Sequence, residues 1–279
     1  MLSKAKYWWF RGWSWWRWYR SASTPYDVHS PGLSRFIDQA WRHRSDADLE
    51  SLVLYFRRSY RHAHQWIETP QLGAASKVKA RQRRRLSELV RHSAIAAAEG
   101  HFLARMVRYT KAQTILELGT NAGISGAYLA LADESARLHS LEGNPDLAML
   151  ARRGFTHLGL NDRVQVHIGR FSDRLPEVLT QLSTIDLLFI DGDHRYQPTL
   201  DYVRACLPLA RENSLFIIAD IHWSPGMEAA WEEIRNWPAV TCSLDTYHFG
   251  ILFFDPALKA APSISLIRTR FKPWRLGFF

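Results

Sequence analysis

Cysteine is nearly absent from this 279-residue sequence, which contains only Cys206 and Cys242. The two lie far apart in apolar surroundings, so they can form neither a disulfide framework nor a cysteine-rich zinc cluster. We expect both thiols to be buried and reduced, which favours a reducing, cytoplasmic compartment. The sequence also lacks any run of about 18 uncharged apolar residues, which excludes the usual pattern of a transmembrane helix.

Acidic residues are scarce in the first part of the chain. Residues 1–110 contain 20 Lys and Arg but only 8 Asp and Glu, whereas residues 111–279 contain 16 basic and 19 acidic residues. The hydrophobic (47%) and charged (23%) fractions are typical of globular proteins and exclude wholesale disorder. The chain therefore combines a basic part with a domain that has the charge balance of an enzyme. Because no aromatic RNA-binding motif accompanies the basic part, nucleic acid is a disfavoured partner.

The basic part divides by composition. Residues 1–20 hold six of the 12 tryptophans and predict a basic aromatic helix, and residues 21–34 have the Ser, Thr and Pro content of a linker. Residues 35–110 show apolar residues at helical spacing, namely Leu49, Leu52, Val53 and Phe56, and again Leu86, Leu89 and Val90. Six of the nine residues 77–85 are basic, which is typical of a solvated surface and would also suit phosphates or an acidic partner. The predicted units are 1–20, 21–110 as a helical cap region, and 111–279.

From residue 111 onward, short runs of β-favouring residues alternate with segments of helical length. Apolar strands separated by helices indicate a parallel sheet covered on both faces. The last two runs are too close for a helical crossover, so an antiparallel hairpin must end the sheet. The sequence thus predicts a doubly wound, seven-stranded, mostly parallel α/β fold with an antiparallel last strand and an N-terminal helical extension. The predicted strands are Thr114–Leu118, Leu138–Leu141, Val164–Ile168, Ile185–Ile190, Leu215–Ala219, Val240–Leu244 and Ile251–Phe254.

Two glycines follow the first predicted strand, at the edge where such sheets bind ligands. Gly119 and Gly123 are four residues apart, which lets the backbone turn tightly and approach a ligand. The loop lacks both the third glycine of the dinucleotide fingerprint and the Gly-Lys-Ser/Thr of a phosphate loop. Glu117, just before the loop, would suit a cationic ligand, and Ser125 is placed to begin the next helix.

An acid and an aromatic residue follow the next two predicted strands. Glu142, 23 residues after Gly119, is placed to accept hydrogen bonds from both hydroxyls of a ribose. Alone, an acid at a strand end is more often a turn residue, but together with the glycine loop it predicts a nucleoside site. Gly169, Arg170 and Phe171 follow the third strand, where an adenine could lie near backbone and ring, although Phe171 would equally suit the core.

Carboxylates and histidines follow the fourth and fifth predicted strands. The fourth runs into residues 191–196 (Asp-Gly-Asp-His-Arg-Tyr) and the fifth into residues 220–224 (Asp-Ile-His-Trp-Ser). Each polar residue alone could be a helix cap or an exposed loop residue. Two such groupings at neighbouring strand ends indicate an active site instead. The candidates for a base or a metal ligand are Asp191, His194, Asp220 and His222.

These motifs resemble those of the class I S-adenosylmethionine-dependent methyltransferases, in the arm that includes catechol O-methyltransferase. Residues 115–123 look like the family's first motif, 141–144 like its ribose motif and 186–194 like its fourth motif. The resemblance covers residues 111–255, and it implies S-adenosylmethionine as cofactor and methyl transfer, with a small molecule as acceptor through oxygen. The implied cofactor-binding residues are Glu117, Gly119, Thr120, Asn121, Gly123, Ser125, Glu142, Gly143, Gly169, Arg170, Phe171 and Asp191.

A narrower resemblance, to a bacterial subgroup of these enzymes, extends over nearly the whole chain. Residues 28–31, 72–77, 220–224 and 227–231 carry it. It supplies no substrate. It does imply that residues 21–110 belong to the enzyme, as a helical cap near the cofactor.

The sequence departs from the family at the metal site. Metal-dependent members use an Asp in the fourth motif and an acidic or amide pair after the fifth strand. Here Asp191 and Asp220 match, but Ile221 takes the remaining position, which His222 or Asp193 could replace. Two carboxylates and water hold Mg²⁺ only weakly. Both alternatives stay open: Mg²⁺ on Asp191 and Asp220, or a histidine base without metal.

Two rival functions are compatible with such a sheet. A nicotinamide-dependent oxidoreductase is disfavoured by the missing third glycine and by the antiparallel last strand. A catalytically inactive binding protein is favoured only by the lost metal position. Methyl transfer is therefore the predicted function.

Residues 4–20 predict an amphipathic helix. One side carries Trp8, Trp9, Trp15, Trp16 and Tyr19. The other carries Arg11, Ser14, Arg17 and Arg20, with Phe10 and Trp13 among them. Trp favours the headgroup boundary and Arg attracts anionic lipid, which predicts peripheral contact with the inner face of a membrane. The alternative is a helix whose Trp stripe packs against the enzyme body or a second subunit of a homo-oligomer.

Overall fold

A computed structural model describes residues 4–41, 46–61, 63–68, 83–259 and 263–273. Residues 72–77 of the narrower resemblance, and most of the basic run 77–85, lie outside the described residues. The helices are α1 (Lys4–Ser21), α2 (Pro31–Phe36), α3 (Ala47–Arg61), α4 (Leu86–Ser93), α5 (Ala97–Thr110), α6 (Ile124–Leu131), α7 (Pro145–His157), α8 (Phe171–Leu179), α9 (Tyr196–Cys206) and α10 (Pro225–Ile234). Shorter turns of 3₁₀ or π-helix lie at Pro25–Asp27, Ile37–Trp41, Leu207–Leu209, Pro256–Leu258 and Thr269–Phe271.

The described strands form a small antiparallel sheet of two strands, β1 and β2, and one large sheet of eight strands in the order β10-β8-β9-β7-β6-β3-β4-β5. All seven predicted strands are present, and β9 is antiparallel to both of its neighbours, as expected. The predicted number was one too low, because the two-residue β10 is too short to show any periodicity. The strands are β1 (Trp66–Glu68), β2 (Arg83–Arg85), β3 (Thr114–Leu118), β4 (Arg137–Glu142), β5 (Val164–Ile168), β6 (Ile185–Ile190), β7 (Ala210–Ala219), β8 (Cys242–Asp245), β9 (Phe249–Phe253) and β10 (Ile264–Ser265).

The strand order reverses between β3 and β6. From β3 the chain proceeds outward to β4 and β5, and it then returns to place β6 and β7 on the other side of β3. Loops that leave β3 and β6 in opposite directions open a crevice at their carboxyl ends. Gly119, just after β3, has φ +113°, and a Cβ there would stand 2.3 Å from the carbonyl oxygen of Asp191, just after β6. The absence of a side chain at Gly119 therefore lets the two loops touch.

The helices of residues 31–110 share an apolar core with the sheet. Phe36 of α2 lies edge-on to Phe253 of β9, with ring centroids 5.0 Å apart. The predicted apolar positions of α3 and α4 are buried, except for Leu52, which faces solvent. Residues 21–34 are more ordered than a linker, since the backbone of Ser23 pairs with residues beside β10.

Both cysteines are free and buried, as predicted. Within the described residues, no helix has the length and apolarity needed to span a membrane.

Helix α1 is attached to the body of the protein through its basic and hydroxyl side. Arg11 donates to the carbonyl oxygen of His222 (2.7 Å), and Arg17 forms an ion pair with Glu228 of α10 (2.6 Å). Ser14 donates to the same carboxylate, and Trp18 donates its indole N–H to the carbonyl oxygen of Asp245 (3.2 Å). The tryptophans at 8, 9, 13, 15 and 16 are exposed. The alternative in which the Trp stripe packs on the enzyme body is therefore wrong, because the polar side of the helix meets a cluster of carboxylates there.

We expect Glu228→Ala to lower the free energy of unfolding by about 2 kcal/mol, because it leaves Arg17, Ser14 and His222 without their shared acceptor. Urea denaturation measures the effect. Glu232→Ala, one turn further along α10, removes a long surface ion pair with Arg235 and an exposed hydrogen bond from Asn236, and it is the control. Equal losses in the two variants would contradict the anchoring role of Glu228.

Gly119→Ala should destabilise the protein by at least about 2 kcal/mol more than Gly159→Ala, because overpacking against backbone adds to the strain of a positive φ. Gly159 has φ +69° but nothing within 4 Å of an added Cβ, so it measures the strain alone. The readout is again the free energy of unfolding in urea. A difference near zero would show that the two loops need not touch.

Candidate active site

The loop after β3 rests on a buried carboxyl group. Glu117 is fully buried and accepts hydrogen bonds from the hydroxyls of Ser125 and Ser140, both at 2.5 Å. Burial raises the pKa of Glu117 to about 7. The predicted contact between Glu117 and a cationic ligand stays a prediction, since the side chain lies beneath the loop. Ser125 differs from expectation: Gly123 caps α6, and the Ser125 hydroxyl binds Glu117 instead.

Glu142 closes the same loop from the end of β4. Its carboxylate accepts from the backbone N–H of Asn121 (2.7 Å) and from that of Asn144 (2.8 Å). Burial raises the pKa of Glu142, and the backbone donors oppose that effect. Glu142 thus lines the crevice and also holds the backbone of the loop in place. The second role was not predicted from the sequence.

A cavity of about 720 Å³ lies in the crevice between the ends of β3, β4 and β6. Its size is in the range of sites for drug-sized ligands. Five of the predicted cofactor-binding residues do not line this cavity: Glu117, Thr120, Gly123, Ser125 and Gly169. The predicted residues that do line it are Gly119, Asn121, Glu142, Gly143, Arg170, Phe171 and Asp191.

The far wall of the cavity was not predicted. Tyr202 of α9 lies edge-on to Phe171 and donates its hydroxyl to Asp193 (2.8 Å), which also pairs with Arg195. These bonds engage Asp193, one of the two suggested third metal ligands. Tyr202 escaped notice because one aromatic residue in an amphipathic helix is more typical of core than of a site.

Asp191, His194 and Asp220 come together at the ends of β6 and β7, as predicted. His194 Nε2 lies 3.8 Å from Asp191 Oδ1 and 3.8 Å from Asp220 Oδ2. Loss of solvent and the neighbouring Asp220 raise the pKa of Asp191 to about 8. Loss of solvent also lowers the pKa of His194, so its imidazole is neutral near pH 7 and can accept a proton.

His222 does not join this group, in contrast to the prediction. Its Nε2 lies 2.9 Å from Asp245 Oδ2 and its Nδ1 lies 2.7 Å from Glu228 Oε1, so both ring nitrogens are engaged. Burial lowers the pKa of His222, but the two acidic partners outweigh burial and raise it to about 9. The ring points away from Asp220 because β8 and α10 present carboxylates on the other side of the loop.

The donor set for a metal ion is limited. Asp191 and Asp220 supply oxygen ligands, and the side chain of Ile221 is fully buried and apolar. Over the described ranges, no group of three or more His, Cys, Asp and Glu side chains is arranged to hold a metal ion. The part of the chain that the structure describes therefore offers two carboxylates and no third protein ligand.

Sequence comparison relates the centre of the chain to known methyltransferases. Residues 116–221 match the family described as "Methyltransferase domain". The catechol O-methyltransferase of Niastella koreensis is 34% identical over 128 residues, which cover 45% of this chain and 57% of that protein. The catechol O-methyltransferase of Mycobacterium tuberculosis is 32% identical over 129 residues, which cover 46% and 57%. The chain thus spans little more than half the length of these relatives.

Solved structures share the fold. An O-methyltransferase from Bacillus cereus in complex with SAH superposes with a TM-score of 0.53 at 22% identity, over 80% of this chain and 96% of that one. An O-methyltransferase from Streptomyces achromogenes in complex with SAM gives 0.52 at 19% identity, over 76% and 99%. The resemblance drawn from the motifs is confirmed: residues 116–221 match the methyltransferase domain family, and the chain has the class I S-adenosylmethionine-dependent methyltransferase fold of the catechol O-methyltransferase type.

Proposed function

We propose that this protein transfers a methyl group from S-adenosylmethionine to an oxygen atom of a small-molecule acceptor. The observation that carries the proposal is the convergence of two groups on one crevice. The Gly119 loop and Glu142 form one side and Asp191 lies on the other, with His194 next to both Asp191 and Asp220. One side is suited to hold a nucleoside, and the other is suited to hold an acceptor proton.

The cavity suits the cofactor in size and in hydrogen-bonding groups. A side chain at Gly119 would fill the space where the two loops touch. The buried Oδ1 of Asn121, which lines the cavity, has no hydrogen-bond partner among the described residues. Buried polar atoms are almost always hydrogen-bonded, so this oxygen supports a ligand that donates an N–H or O–H there. Glu142 supplies acceptors for ribose hydroxyls, and Phe171 and Tyr202 supply an apolar wall.

When bound, S-adenosylmethionine supplies an electrophilic methyl group on a sulfonium sulfur. The chain's part is to align an acceptor hydroxyl behind that carbon and to remove its proton. We assign proton removal to neutral His194, and the neighbouring Asp220 carboxylate stabilises the imidazolium that forms. The Gly119 loop and Glu142 would hold the methyl donor, and His194 would keep the proton that the acceptor oxygen loses when it receives the methyl group.

Mg²⁺ is not assigned a step. Mg²⁺ requires nearly octahedral oxygen coordination, and the described residues offer only Asp191 and Asp220 for it. These two side chains would hold an ion if one binds. The inactive-protein alternative loses its main support, because His194 gives the site a base that does not depend on a third metal ligand.

The acceptor side of the site is aromatic. Trp223, which follows His222, lies 6.1 Å from the ring of His194 and 6.2 Å from that of Tyr7 in α1, measured between centroids. This wall favours an acceptor with an aromatic ring or another flat apolar part.

We also propose a cytoplasmic location with peripheral contact at the membrane. The division into units 1–20, 21–110 and 111–279 likewise stays a proposal.

Glu142→Ala should weaken S-adenosylhomocysteine binding about ten- to a hundredfold, because charge-assisted hydrogen bonds to ribose are lost. Calorimetry measures the dissociation constant, and thermal unfolding checks that the protein is folded. Since Glu142 also holds the loop, an analogue that lacks the 2′-hydroxyl separates the two effects. Removing that hydroxyl should weaken binding to the wild type but not to Glu142→Ala. Equal losses for both proteins would contradict a ribose contact.

His194→Ala should lower turnover about 10²-fold or more, and EDTA should leave wild-type turnover unchanged. The assay follows S-adenosylhomocysteine release with a panel of phenols, catechols and aliphatic alcohols. His92→Ala, at an exposed position of α4, is the control variant. Loss of turnover in EDTA that added Mg²⁺ restores would transfer the role to a metal on Asp191 and Asp220.

A further inference from the structure

Helix α1 exposes a dense surface of tryptophan. Its five exposed indoles, at Trp8, Trp9, Trp13, Trp15 and Trp16, are between 41 and 71% accessible to solvent, and we call them the tryptophan face. Trp13 stacks between Trp9 (6.1 Å) and Trp16 (5.1 Å), so it joins this face and not the basic side on which the sequence placed it. Soluble proteins rarely expose so many large apolar side chains side by side.

The face is held outward by the anchors of α1. The hydrogen bonds of Arg11 to the loop after β7, of Ser14 to α10 and of Trp18 to β8 fix the rotation of the helix. At its C-terminal end, Tyr19 stacks on Trp15 and donates its hydroxyl to the carbonyl oxygen of Phe271 (2.9 Å). The indoles are therefore presented by a docked helix and do not need a conformational change to become accessible.

The charged residues of α1 itself are all basic, and Arg17 among them is paired with Glu228. Helix α1 contains two Lys and three Arg and no acidic residue. The Arg20 guanidinium lies over the Trp16 ring (4.8 Å), at the edge of the face. Next to this end of the helix, the 3₁₀ turn Thr269–Phe271 exposes Arg270 and Phe271, which extend the basic and aromatic surface. A second copy of this face would bring two positive surfaces together, whereas an anionic surface complements it.

We propose that the tryptophan face docks on the surface of an anionic phospholipid membrane. Indole rings favour the headgroup boundary, where the ring is buried and the N–H is hydrated, and basic residues around them attract anionic headgroups. The helix lies in the plane of the interface and does not span the bilayer. The binding of lipid does not depend on methyl transfer, so it succeeds or fails independently of the proposed function.

Docking would bring the acceptor side of the site to the lipid boundary. The inner side of α1 contacts Trp223 through Tyr7, and Arg11 lies over the Trp223 ring at 5.9 Å. Trp223 in turn lies beside His194. A single helix thus has lipid on one side and the aromatic wall of the site on the other.

Flotation of the full chain with vesicles tests the proposal. We expect the wild type to float with vesicles of phosphatidylcholine and phosphatidylglycerol at low salt, and to float less at high salt because charge attraction is screened. The triple variant Trp9→Ala/Trp13→Ala/Trp16→Ala should bind about tenfold or more weakly. It keeps Ser14, Arg17 and Trp18, so the helix stays docked, which far-UV circular dichroism and thermal unfolding verify.

The matched control is Leu52→Ala/Trp66→Ala/Met149→Ala. These three side chains are 48–50% exposed but lie outside α1, so this variant should float like the wild type. Brominated lipid should quench tryptophan emission in the wild type and less in the Trp9/Trp13/Trp16 variant. The proposal is overturned if the wild type stays with the soluble fraction at low salt, or if the two triple variants float equally. Concentration-dependent dimers that only the first variant abolishes, without flotation of the wild type, would assign the face to a second copy instead.

Discussion

The contact between Gly119 and the carbonyl oxygen of Asp191 is the constraint on which the site depends. It joins the loops after β3 and β6 at the point where the strand order reverses. Because Gly119 has no Cβ, the two loops touch, and the side of the crevice suited to a nucleoside lies directly next to the side suited to accept a proton. Glu117 supports this contact from below, and its burial is tolerated because two serine hydroxyls donate to it.

A second set of contacts ties the N-terminal helix to the same centre. His222 stands two residues after Asp220, yet its ring faces Glu228 and Asp245, and its backbone accepts from Arg11. The loop that carries Asp220 is therefore held by β8 and α10 on one side and by α1 on the other. This arrangement explains why a helix outside the matched domain 116–221 bears on the geometry of the active site.

The sequence predicted the sheet well because buried parallel strands produce apolar runs that hardly depend on context, as in Ile185–Ile190. It also placed Asp191, His194 and Asp220 together, since adjacent strands end at one edge. It could not tell that His222 turns away, because only the fold brings Glu228 and Asp245 to that ring. Tyr202 and the two-residue β10 were missed for a related reason: neither produces a local pattern, and both are defined by contacts distant in sequence.

Calorimetric titration of the wild-type protein with S-adenosylmethionine, S-adenosylhomocysteine and NADH tests the central claim, that the crevice at the reversal of strand order holds the methyl donor. Saturable one-to-one binding of the first two ligands, and no heat of binding with NADH, is the predicted result. Binding of NADH, or the absence of binding by both S-adenosyl compounds, would contradict it.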